Sequence, residues 1–81
     1  MLSNSQVIVL IQNKDKVIES YDKELEAYSR RTRQLYPESD LMVQEIANIA
    51  FTSVLEEEVN ASLDEINNLF TIIDRNQYGD K

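Results

Sequence analysis

The sequence predicts an all-α protein: an antiparallel helical hairpin of two long helices, completed to a four-helix-type bundle by association. Three observations carry this. One Gly and one Pro in 81 residues leave almost no turn chemistry for β-hairpins or a β-sandwich. Two helix-period segments, each thirty-odd residues long, flank a single short breaker, Tyr36-Pro37-Glu38-Ser39-Asp40. Within the first segment Ile11, Ile18, Leu25 and Thr32 recur every seven residues, and Lys14, Tyr21, Tyr28 and Leu35 interleave at the same spacing. That is the seam of a helix laid against another helix. Apolar residues make up 42% of the chain and charged ones 28%, an ordinary balance that argues against global disorder.

The elements are ordered along one domain, residues 1–81. Helix 1 is expected over about 5–35, with Ser3, Asn4 or Ser5 as its cap, since each accepts a hydrogen bond from an orphan N–H of the first turn. The run Val7-Ile8-Val9-Leu10-Ile11 suits a short strand or a helix buried all round, and the seam that starts inside it favours helix. Glu19–Lys23 and Glu26–Arg30 are i,i+4 pairs in the better orientation. Arg30, Arg31 and Arg33 sit where positive charge meets the negative end of the helix dipole.

Pro37 pushes Tyr36 out of the helical region, and the turn occupies 36–40. Ser39 or Asp40 then caps helix 2, expected over about 40–75, with a flexible tail over 76–81 and Gly79 near the stop. Met42, Ile46 and Ile49 begin one apolar face, which fades at Ser53, Glu56 and Asn60. A second face begins at Val59, Leu63, Ile66, Phe70 and Ile73, widened by Leu55 and Leu69. Ser62-Leu63-Asp64-Glu65 reads as a capping box. Two readings stand: one continuous helix that shifts register, or a break near Asn60. Absence of Gly and Pro there favours continuity.

The second face is too wide for a two-helix seam, which needs only about two residues in seven. Helix 1 covers part of it. The rest is expected to meet a second copy, as a homodimer, or a helical heteropartner. For this reason Tyr21, Tyr28, Leu55, Leu69 and Phe70 are the partner-binding candidates, because they lie on or beside the broad seams.

Chemistry is poorly provided for. The chain has no Cys and no His, so thiol chemistry and the usual zinc sites lack their ligands. Glu56-Glu57-Glu58 point about 100° apart on a helix and form no single cage. Ser and Thr have no His as base, and glycines for a phosphate-cradling loop are missing. Neither an enzymatic activity nor a cofactor is expected. Arg30, Arg31 and Arg33 are a small basic cluster on a chain of net charge −7. Residues 1–36 carry +1 and residues 37–81 carry −8, so phosphate backbones are repelled and nucleic acid is not an expected partner. Residues Met1–Gln6 have no basic side chain, and the apolar run beyond them is too short for a signal or a span. A cytoplasmic, soluble protein is expected.

Leu35, Pro37, Leu41 and Asn48, with the tail Tyr78-Gly79-Asp80-Lys81, resemble positions in some pediocin-type bacteriocin immunity proteins, which are small cytoplasmic helical bundles. The resemblance covers under a dozen scattered positions and no diagnostic motif, and this chain is shorter and more acidic than that family. It implies protection of a cell from a peptide toxin. The reading of the residues themselves is a small acidic protein–protein interaction module, of adaptor, chaperone or inhibitor type, acting through its helical face. An acidic nucleic-acid mimic is a further alternative.

Overall fold

In a computed structural model, which describes residues 1–34 and 36–78, the chain is all-helical. Among the described residues there are four helices, in order α1 (Asn4–Gln12), α2 (Lys14–Thr32), α3 (Asp40–Leu55) and α4 (Leu63–Tyr78). Each expected long helix is therefore two. A continuous helix over 5–35 would run about 46 Å and one over 40–75 about 54 Å, whereas the longest extent of the molecule is 37 Å. Leu35, Gly79, Asp80 and Lys81 lie outside the described residues, so the expected stop at Gly79 does too. Residues 76–78 belong to α4 rather than to a tail.

The first interruption is a single residue. Asn13 leaves helical geometry (φ −111°, ψ 36°) and its Nδ2 donates to the Val9 carbonyl at 2.8 Å. Its backbone N–H is shared between Val9 and Leu10 carbonyls, and its own carbonyl accepts from Val17 N at 3.0 Å. An Asn side chain bonding back to residue i−4 competes with the helical ladder and bends it. Ser3 caps α1 through a reciprocal box with Gln6. Of the run 7–11 only Leu10 is fully buried, and Ile8 is 54% exposed. This helix is not buried all round.

The second interruption spans residues 56–62 and overturns the expected continuity. Glu56 ends α3 in the left-handed region (φ 59°), its N–H bonded to Thr52 O at 2.8 Å. Asn48 then acts as a surrogate peptide: Nδ2 donates to Ala61 O at 3.0 Å while Oδ1 accepts from Ala61 N at 2.8 Å. Thr52 Oγ1 accepts from Val59 N at 3.4 Å. Ser62 and Glu65 form the capping box that opens α4, and Glu65 Oε2 also accepts from Leu2 N at 3.0 Å. The Glu65 carboxyl is held below its ordinary value by the backbone N–H groups of Ser62 and Leu2.

Burial explains why the chain breaks here. Turning back lets Val59, Ile66, Leu69 and Ile73 enter the core formed with Leu10, Val17, Ala47 and Phe51. Each large side chain so buried contributes about 1.5–3 kcal/mol. The helical hydrogen bonds given up are worth only about 0.5–1.5 kcal/mol each, and Asn48 and Thr52 replace some of them. Burial wins.

The broad second face is thus covered within one chain, by α3 and α1, both of which pack against α4. A second copy is not required to bury it. The α2–α3 contact is the most extensive, and both α1 and α3 touch each of the other three helices. The radius of gyration, 12.5 Å, is close to the about 11.7 Å expected of a compact domain of this length.

Candidate functional site

In the first segment Leu10 and Val17 are buried, each one position before Ile11 and Ile18 of the seam read from the sequence, together with Tyr28, which lies on that seam. Ile18 and Leu25 consequently sit on the shoulder of that face and are half-buried. The shift matters, because α2 and α4 share no extensive contact. Between them a cleft of about 440 Å³ opens, lined by Ile18 and Tyr21 of α2, Val43 of α3, and Ile66, Asn67, Phe70 and Asp74 of α4.

Aromatic packing shapes its wall. Tyr21 and Phe70 rings lie 5.1 Å apart between centroids, tilted by 58°. Phe70 in turn packs on the fully buried Phe51 at 5.9 Å. A tilted aromatic chain thus leads from the core to the surface, an arrangement worth about 0.5–1.5 kcal/mol per pair beyond area burial. The Tyr21 hydroxyl has no hydrogen-bond partner among the described residues, and burial, with the Asp22 charge second, pushes its ionisation above the ordinary 10.0. Tyr28 differs: its hydroxyl donates to Gln34 Oε1 at 3.0 Å.

A larger open groove of about 820 Å³ adjoins the cleft through the shared Ile18. Its apolar floor is Ile18 and Leu25, with Tyr36 at the edge, and its wall is Asp15, Glu19, Asp22 and Glu26. Those acids stand at i, i+4, i+7 and i+11, which places them along one stripe of α2. Lys23 is the basic residue that lines it. Glu26 pairs with Arg30 at 3.4 Å, both largely exposed; the expected Glu19–Lys23 pair is not formed among the described residues.

Of the five partner-binding candidates, the structure brings together two, Tyr21 and Phe70. Leu69 (2% exposed) and Tyr28 (5% exposed) are withdrawn from the surface, because the internal core takes them up. Leu55 is half-buried against that core and does not line the cleft. Sequence reasoning missed Val43, which carries no signal, and the acidic stripe, whose helical spacing was readable in a segment of nearly neutral net charge. Elsewhere, Leu41 and Ile49 are exposed on α3 beside Asn48 and Asn60. Asn48 is occupied there with Gln44 and Ala61.

Among the described residues no three carboxylates converge to hold a metal ion. No described helix is long and apolar enough to cross a membrane. No family model matches the chain, and no curated protein or solved structure does either.

Proposed function

We propose that this chain is a small protein-binding module, of adaptor, chaperone or inhibitor type, and that the cleft between α2 and α4 is where it docks a segment of its partner. The observation that supports this reading is the pairing of Tyr21 and Phe70 on a half-open apolar wall. Aromatic side chains with one apolar side and one wet edge supply much of the binding energy in protein interfaces. The site offers shape and apolar area, which a docking segment can use.

A photo-crosslinking side chain at Val43 tests this in the native cell, with Ser53, exposed on the same helix, as the control position. A discrete protein adduct from position 43 and none from position 53 is expected. Equal or absent labelling at the two positions contradicts the reading.

Bacteriocin immunity is the second reading. A self-contained small helical bundle agrees with the architecture that the scattered resemblance implies, although Asn48 is spent on holding Ala61. Growth of a toxin-sensitive strain with and without the gene decides it: protection supports immunity, and equal killing dismisses it.

A further inference from the structure

The cleft and the groove beside it are not neutral apolar surfaces, and their charge points to one kind of occupant. Ile18 belongs to both, so a continuous apolar strip runs from Leu25 through Ile18 to Tyr21 and Phe70. Acids border this strip on either side: Asp15, Glu19, Asp22 and Glu26 along α2, and Asp74 on α4. Lys23 is the basic side chain among the lining residues, and Arg30 is engaged with Glu26. The segment that contributes the strip is close to neutral as a whole, so this is a sorting of charge onto one face rather than a reflection of bulk composition.

We propose that the occupant is a basic amphipathic helical segment of a partner protein, its apolar face on Ile18, Tyr21, Val43 and Phe70 and its Lys or Arg side chains against the acidic border. This deepens the binding-module reading and rests on it. A narrow apolar strip accepts the i, i+3, i+4, i+7 anchors of a helix. Carboxylates beside it attract cations, speed encounter and exclude acidic partners. A second copy of this chain is a poor fit, because the strip would then bring two acidic borders together. The Tyr21 hydroxyl, which has no hydrogen-bond partner among the described residues, adds a polar group at the wet edge.

Fluorescence anisotropy with three labelled eighteen-residue peptides tests the inference: one with a leucine stripe and a lysine face, one with the lysines replaced by glutamate, and one scrambled from the first. The lysine-faced helix is expected to bind, more weakly as salt rises, and the other two are expected not to. A D15N/E19Q/D22N/E26Q variant should lose at least about tenfold in affinity, as several exposed ion pairs together imply. An E45Q/E56Q/E57Q/E58Q variant, with the same change in net charge away from the cleft, should bind as the wild type does. Thermal unfolding of both variants reports whether either has lost its fold.

Equal binding of the scrambled peptide, or equal losses in the two variants, would overturn the proposal by showing nonspecific attraction to an acidic protein. Preference for the glutamate peptide, or a dimer in sedimentation velocity that Val43→Asp dissolves, would overturn it as well. If crosslinking from position 43 captures a partner while the lysine-faced peptide fails, the docking site stands and the charge assignment falls. If both fail, the binding reading falls with it.

Discussion

The two halves of the chain break their helices in different ways. In the first half one residue, Asn13, departs from the ladder, and the ladder resumes at once through the Asn13 carbonyl and Val17 N. In the second half residues 56–62 leave the helix altogether, and α4 turns back onto α3 and α1. Neither break contains Gly or Pro. The difference lies in the residues C-terminal to each break. After Asn13 the apolar face continues in almost the same register, whereas after Glu56 a new apolar face starts that burial rewards only if the chain turns. A polar side chain can bend a helix, but apolar surface decides whether the chain then reverses.

The harshest way to break this contrast is to remove the reward. Leu69→Ala should destabilise the isolated chain by about 2–5 kcal/mol in a urea titration, as a fully buried leucine does. A cost below about 1 kcal/mol would mean that the chain does not itself cover α4. Next in size is the clamp on the turn. Asn48→Ala strips both backbone groups of the buried Ala61 of their partner, and leaving such groups unpaired costs about 1–3 kcal/mol. Asn13→Ala, by contrast, should be close to neutral, within about 0.5 kcal/mol, since Ala has the higher helix propensity and the ladder is already nearly intact. Similar losses for the two Asn variants would erase the distinction between the breaks.

The start of α4 offers a pH handle. Glu65 titrates below its ordinary value because Ser62 N–H and Leu2 N–H donate to it. A carboxyl depressed in the folded state gives its full stabilisation above the ordinary value of 4.5, and loses it as pH falls through the lower folded value. Wild-type stability should therefore decline on acidification below about pH 4.5, with a steeper slope than that of Glu65→Gln. Parallel acid limbs would show that the capping box carries no pH-linked stability. A further small effect, of opposite sign, concerns Glu56, left-handed at φ 59°. Glu56→Gly relieves the side-chain penalty and should stabilise by up to about 1 kcal/mol, read as a modest rise in melting temperature.

Much of this fold is legible in the residues. The shortage of Gly and Pro announces helices; Ser3 and Ser39 cap where they are expected; and Tyr36 to Asp40 separates the halves. The Ser62–Glu65 box marks the start of α4 plainly, but it weighs less than the absence of a breaker unless the burial of Ile66, Leu69 and Ile73 is counted with it. The width of that face is also readable. Its cause is not, because a continuous helix would carry the excess outward to a partner, and only the reversal at 56–62 turns it inward. Asn13 gives no warning, since Asn occurs in helices without bending them and its bond to Val9 depends on a rotamer. The cleft is half legible: Tyr21 and Phe70 stand out individually, but their meeting requires the α4 reversal, and Val43 gains its place only from that packing.

The central claim is that the isolated chain encloses its own apolar stripe and leaves the α2–α4 cleft open to a partner. Urea unfolding of the purified chain over about a hundredfold range of concentration, with the mass of the folded species measured at each end, tests this directly. A constant midpoint and a 9.4 kDa particle throughout are predicted. A midpoint that climbs with concentration, together with a particle of twice that mass, would contradict it.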